Sequence, residues 1–150
     1  MDAKAIVLEN LRTERRLTRE TVVAMTDGDM DFRPTPEQMD FGTQALHILS
    51  AYSTLMEALS GKGWNWEQGM TRATCPTQAA ILELYDAETA RLLAFVEGLE
   101  PEEFYTVVQT GWGAKEAVLA LFMGWMTHEA HHRGQMVTYL RLKGMTPAPY

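Results

Sequence analysis

Residues 114–143 read AKEAVLALFMGWMTHEAHHRGQMVTYLRLK. Within this run Val118, Leu121, Trp125, Tyr139 and Leu142 recur at alternating spacings of three and four, as the buried stripe of an amphipathic helix does. His128, His132 and Gln135 fall in the same row. The pattern predicts one long helix from about Ala114 to Lys143, closed by Gly144 and Pro147. A helix with one such stripe must bury it against neighbours, and the rest of the chain supplies three of them.

Upstream, Thr77 is the expected N-cap of a helix running to about Gly98, on the seam Ile81, Tyr85, Glu88, Leu92, Phe95 and Leu99. Between these two helices, the linker from Glu100 to Gly113 holds Pro101, one candidate strand (Tyr105 to Gln109) and the turn Thr110-Gly111-Trp112-Gly113. Another helix, capped by Thr43, carries Leu46, Leu49, Tyr52, Leu55 or Met56, and Leu59, and ends at Gly61-Lys62-Gly63. The segment from Trp64 to Pro76 has no period and reads as a loop with a possible short strand. The first helix runs from about Lys4 to Met25 through Val7, Leu8, Leu11, Leu17 and Val22, and Asp27-Gly28-Asp29 stops it. Pro34 and Pro36 make the stretch from Met30 to Gly42 an extended loop. The fold class is therefore all-α: a single domain over residues 1–150, expected as an up-down-up-down four-helix bundle with long loops.

Composition narrows the function. With 150 residues, 46% of them hydrophobic, the chain can bury a real core. A formal net charge of -7 without a Lys/Arg stripe argues against nucleic acid and against an anionic membrane surface. No apolar run approaches the ~20 residues of a membrane span, and the N-terminal stretch shows no signal-peptide core. A single cysteine, Cys75, permits no internal disulfide and fits a cytoplasmic setting. Nothing around Cys75 marks an activated thiol.

The chemistry lies in the histidines. Three of the four, His128, His131 and His132, sit on the last helix. His128 and His132 are one turn apart, so about 40° of rotation separates them and both project inward. Two imidazoles buried side by side must be hydrogen-bonded or bound to something, and a divalent ion satisfies both. Spacing alone fits a metal pair and a hydrogen-bonded core pair equally. His131 turns aside, towards a neighbouring helix or solvent. His47 lies in another helix, and spacing does not bring it to the pair.

The Pro34-x-Pro36 loop before a helix with an early His47, the run His128-x-x-x-His132-Arg133-Gly134-Gln135, and the trailing Tyr139-Leu140-Arg141-Leu142-Lys143-Gly144 with Pro147 resemble the DinB-like family of small bacterial four-helix bundles. The resemblance covers nearly the whole chain. It implies a three-histidine metal site made by His47, His128 and His132, holding a divalent ion such as Zn²⁺ or Ni²⁺. It also implies a metal-dependent enzyme, of the thiol-dependent transferase or hydrolase type, with a small-molecule thiol or substrate as partner and a homodimer as assembly. The alternative is a non-catalytic metal- or ligand-binding stress-response bundle; a plain structural bundle is a third reading.

Other residues have lesser roles in this reading. Gln135 could hydrogen-bond behind His132 or to backbone. Glu129 reads as a solvated or interface carboxylate, and Glu88 as the better candidate for an acid near the site, partly exposed. Arg133 could pair with an acid or meet an anionic substrate, and Gly134 could permit close helix packing. Trp64, Trp66 and Trp112 could line a pocket mouth, a dimer contact or the core.

Overall fold

In a computed structural model, which describes residues 2–148, four helices carry the chain: α1 (Ala3–Ala24), α2 (Phe41–Leu59), α3 (Gln78–Gly98) and α4 (Val118–Leu142). The first three start on side-chain caps. Asp2 accepts from the Lys4 amide and Thr77 from the Ala80 amide. At α2 the cap is Asp40, not Thr43: its carboxylate accepts from the Thr43 amide at 2.8 Å and from the Thr43 hydroxyl at 2.9 Å. The helix thus gains a turn before Thr43.

The other boundary that moved is the start of α4. Lys115–Ala117 forms a strand, β2, antiparallel to β1 (Val107–Gln109), with Val107 opposite Ala117 and Gln109 opposite Lys115. The expected strand at Tyr105 to Gln109 is real but shorter, because Pro101–Tyr105 forms a 3-10 turn. The tight connection folds over Trp64, whose indole donates to the Gln109 carbonyl at 3.0 Å. At Gly111 a Cβ would fall 2.9 Å from the Trp64 side chain, so this position requires glycine.

The all-α bundle is as expected; the order of its helices is not the default one. Lys4 Nζ donates to the Leu99 carbonyl and Arg19 pairs with Asp86, so α1 and α3 are antiparallel. Gln44 meets Tyr139 and Ala51 meets Trp125, so α2 and α4 are antiparallel. Arg15 meets Glu129 and Lys143 meets Asp29, just beyond α1, so α1 and α4 run the same way. The directions are up-down-down-up in place of up-down-up-down. α1 and α2 sit diagonally across the bundle, and each packs on both α3 and α4. The long connections make this possible, since chains of that length can cross the end of a bundle where a tight turn cannot.

The core runs through Val7, Leu11, Leu46, Leu49, Ile81 and Phe122, all essentially inaccessible. Two seams differ in detail from the apolar pattern. On α1 the buried row passes through Arg15 and Thr18, while Leu17 is only half-buried. On α3 Val96 takes the buried place expected for Phe95. At the end of α4, Leu142 is exposed.

Candidate metal centre

α2 and α4 cross where their histidines are. His47, three residues after Gln44 on α2, points across the interface at His128 and His132, which α4 presents one turn apart. His128 Nε2 lies 3.1 Å from His47 Nε2 and 3.0 Å from His132 Nε2. All three ligand atoms lie within 4.8 Å of one another. Two imidazole nitrogens ~2.0–2.1 Å from one ion, at right-angle to tetrahedral separations, stand about 2.9–3.4 Å apart. The geometry is that of three donors aimed at one point.

Their protonation suits the same purpose. Burial pushes the His47 and His128 pKa values below the ordinary histidine value, and His47 depresses that of His128 further. Burial, followed by the neighbouring histidines, brings His132 down to about 4. Near neutral pH all three rings are uncharged and offer lone pairs.

A ladder of amides decides which nitrogen of His132 is free. His132 Nδ1–H donates to Gln44 Oε1, which leaves Nε2 bare and aimed at the other two rings. Gln44 Nε2 donates in turn to Gln135 Oε1 at 2.5 Å, and Gln135 Nε2 donates to Nε2 of His131 at 3.0 Å. His131 therefore belongs to the exposed end of the ladder rather than to the ligand set. Gln135 thus bonds two side chains, Gln44 and His131, and reaches His132 only through Gln44. Gln44 was missed: it precedes His47 by three residues, a polar side chain on the buried face of a helix, and that was its signal.

One face of the histidine cluster opens on a cavity of about 370 Å³ between α2, α4 and the β1–β2 connection. His47 and His128 reach it; Trp66, Trp112 and Trp125 wall it, and Glu116 is the only carboxylate on its lining among the described residues. Trp125 is held in place by an indole donation to the Ala51 carbonyl at 2.7 Å. Trp66 and Trp112 thus line a pocket mouth, one of the roles expected for them, while Trp64 packs against the core.

Two expectations for α4 change, those for Glu129 and Gly134, while Arg133 pairs with an acid, as one of its two readings had it. Glu129 is fully buried, not solvated. Its Oε1 accepts from Tyr85 at 2.8 Å and faces Arg15 Nη1 at 3.3 Å, with the Arg15 guanidinium over the Tyr85 ring. Arg133 is buried in an ion pair with Glu14 at 2.5 Å and is closed to substrate. A Cβ at Gly134 would meet nothing within 4 Å, so close packing does not explain that glycine. Glu88 is partly exposed, as expected, but its carboxylate is bound to Arg91 at 2.6 Å.

The DinB family model matches residues 1–150. The chain belongs to the DinB family. It is similar to the uncharacterized protein YjoA of Bacillus subtilis (strain 168), with 21% identity over 96% of this chain and 93% of that protein. Among solved structures, the DinB-like YjoA matches with a TM-score of 0.79 at 22% identity, covering 96% of this chain and 95% of that one. A DinB-like protein from Bacillus cereus ATCC 10987 matches with a TM-score of 0.81 at 18% identity, over 96% and 95% of the two chains. A putative DinB family member from Exiguobacterium sibiricum 255-15 gives 0.73 at 18% identity, over 96% and 93%. At these identities the structural likeness speaks for the fold, and the three-histidine geometry stands on this chain's own residues.

Proposed function

We propose that this protein is a divalent-metal-dependent enzyme of the thiol-dependent transferase or hydrolase type. The observation that carries this reading is the convergence of His47, His128 and His132 Nε2 on one point beside an open cavity. Three neutral imidazoles would hold Zn²⁺ or Ni²⁺ and leave coordination positions free, the arrangement of a catalytic rather than a structural site. When bound, such an ion would acidify a water or a thiol or polarise a carbonyl at the cavity wall. The chain's own part is to keep His132 in the right tautomer through Gln44 and to hold the rings unprotonated by burial.

A non-catalytic metal- or ligand-binding bundle is the second reading. It is favoured by one observation: Glu129, the carboxylate next to His128 in sequence, is taken up by Arg15 and Tyr85 and is no general base. The absence of a helix long and apolar enough to cross a membrane among the described residues agrees with either reading. A cytoplasmic homodimer remains part of the proposal. Sedimentation tests the assembly, with a monomer at micromolar concentration as the outcome against it.

Metal analysis of protein purified without a histidine tag tests the core of the reading. We expect close to one equivalent of zinc or nickel in the wild type and its loss in His128→Ala. Equal, substoichiometric metal in both would sink the site. Turnover of electrophiles with a panel of thiols, and of esters without them, then separates enzyme from binding module.

A further inference from the structure

We propose that the cavity beside the histidines is a pocket for a small molecule with a planar, apolar body of one or two rings, whose donor head reaches the metal. The inference rests on the metal-site reading for the head and on the cavity wall for the body.

Several features converge on that class. At about 370 Å³ the space lies at the low end of the range for small-molecule pockets, which run from about 300 to 1,000 Å³. The wall is aromatic: Trp112 and Trp125 are stacked 5.9 Å apart at 27°, and Trp66, also on the wall, is backed by Trp64 at 5.8 Å and 21°. Ala51, Ala120 and Leu121 supply the remaining apolar surface. Trp66 and Trp112 are left 56% and 51% exposed, an unusual expense of aromatic surface at the rim of a cavity. His47 and His128 sit on the lining, so a ligand head at the metal places its body against the indoles.

Gly124 bounds the space open to the ligand body. This residue lies one turn before His128 on α4 and lines the cavity, and a Cβ built there meets nothing within 4 Å. Glycine is a poor residue in a helix interior, and its backbone here is not left-handed, so the helix itself does not require it. What glycine provides is room. A leucine at this position would fill the space that the ligand body needs, without straining the helix.

The experiment uses two hydroxamates with one head and different bodies, acetohydroxamate and 2-naphthohydroxamate, titrated into the zinc-loaded full chain. Calorimetry and tryptophan quenching read affinity, and metal analysis after gel filtration reads zinc. We expect the naphthyl probe to bind at least about tenfold more tightly than the methyl probe. The ratio should collapse towards one in Gly124→Leu and shrink in Trp112→Ala, with zinc content and thermal stability kept. A wild-type ratio near one, or an undiminished ratio in Gly124→Leu, overturns the pocket while leaving the metal reading intact. An unchanged ratio in Trp112→Ala, accompanied by loss of a dimer, assigns the rim to a second copy of the chain and overturns it too. If no zinc is retained, the metal reading fails. The pocket is then decided by 2-naphthol with metal-free protein: quenching lost in Gly124→Leu supports it, and no quenching in the wild type refutes it.

Discussion

Two faces of α4, a single residue out of step, treat buried polar groups in opposite ways. Towards α1 and α3, Glu129 and Arg133 are locked into Arg15, Glu14 and Thr18 of α1 and Tyr85 of α3. Towards α2, His128 and His132 meet His47 and end at a cavity. The first face pairs opposite charges that neutralise each other. The second brings together three groups of the same kind, each carrying one lone pair near neutral pH, beside a cavity. His128 Nε2 faces two other ring nitrogens, and a single N–H there can donate well to only one of them, so the three rings are not all paired with one another. A closed polar cluster is a device of stability; a convergent one with a cavity is a device of binding.

The contrast breaks most visibly at Glu129. Glu129→Ala would strand the Arg15 guanidinium, which is 2% exposed, as an unpaired buried charge. Loss of one partner of a buried pair costs about 3–5 kcal/mol, so urea denaturation should show a large fall in midpoint, with metal binding retained in whatever remains folded. If the loss is under about 1 kcal/mol, the closed face is not the stability device described here.

The next effect falls on the other face. Gln44→Leu removes the acceptor that holds His132 Nδ1–H and should weaken zinc binding by about 10–100-fold in competition titration, with little change in the metal-free fold. Unaltered affinity would mean that packing alone orients the ring.

Acid should also separate the faces. In the metal-free protein the three histidine pKa values lie below the unfolded value, His132 at about 4. The unfolded chain therefore takes up protons first as the pH falls below about 6.5. The neutral histidines contribute fully above that pH, and their contribution is lost on descent towards about 4, with a slope of at most about 1.4 kcal/mol per pH unit for each proton. Denaturation of His128→Ala should be flatter across this window; an identical pH dependence would remove the histidines as its cause.

The smallest effect is a gain. Gly124→Ala adds a better helix former where a Cβ meets only open space, and should raise stability by about 0.5–1 kcal/mol in thermal unfolding. A destabilisation would show that the cavity wall does not tolerate even a methyl group.

Much of this was legible in the chain itself. Hydrophobic period located four helices, because a helix that buries one face must repeat its apolar residues on that face. The i,i+4 pair on one seam marked His128 and His132, and turned His131 aside, from rotation per residue alone. Caps and strand ends were less legible: Asp40 in place of Thr43, and Lys115–Ala117 as strand, depend on which backbone groups find partners. Glu129 misled for a related reason. A carboxylate off the apolar seam reads as solvated, and only the approach of Arg15 from another helix made its burial affordable.

The sequence by itself thus determined an all-α chain and a pair of inward imidazoles, because both follow from local periodicity. Tertiary structure decided the rest. It set the up-down-down-up order, laid α2 across α4 so that His47 meets the pair, brought Gln44 behind His132, and stacked tryptophans from a loop and a helix around a cavity. Each of these joins residues far apart in the chain, and such contacts are settled by how the long loops let the helices pack.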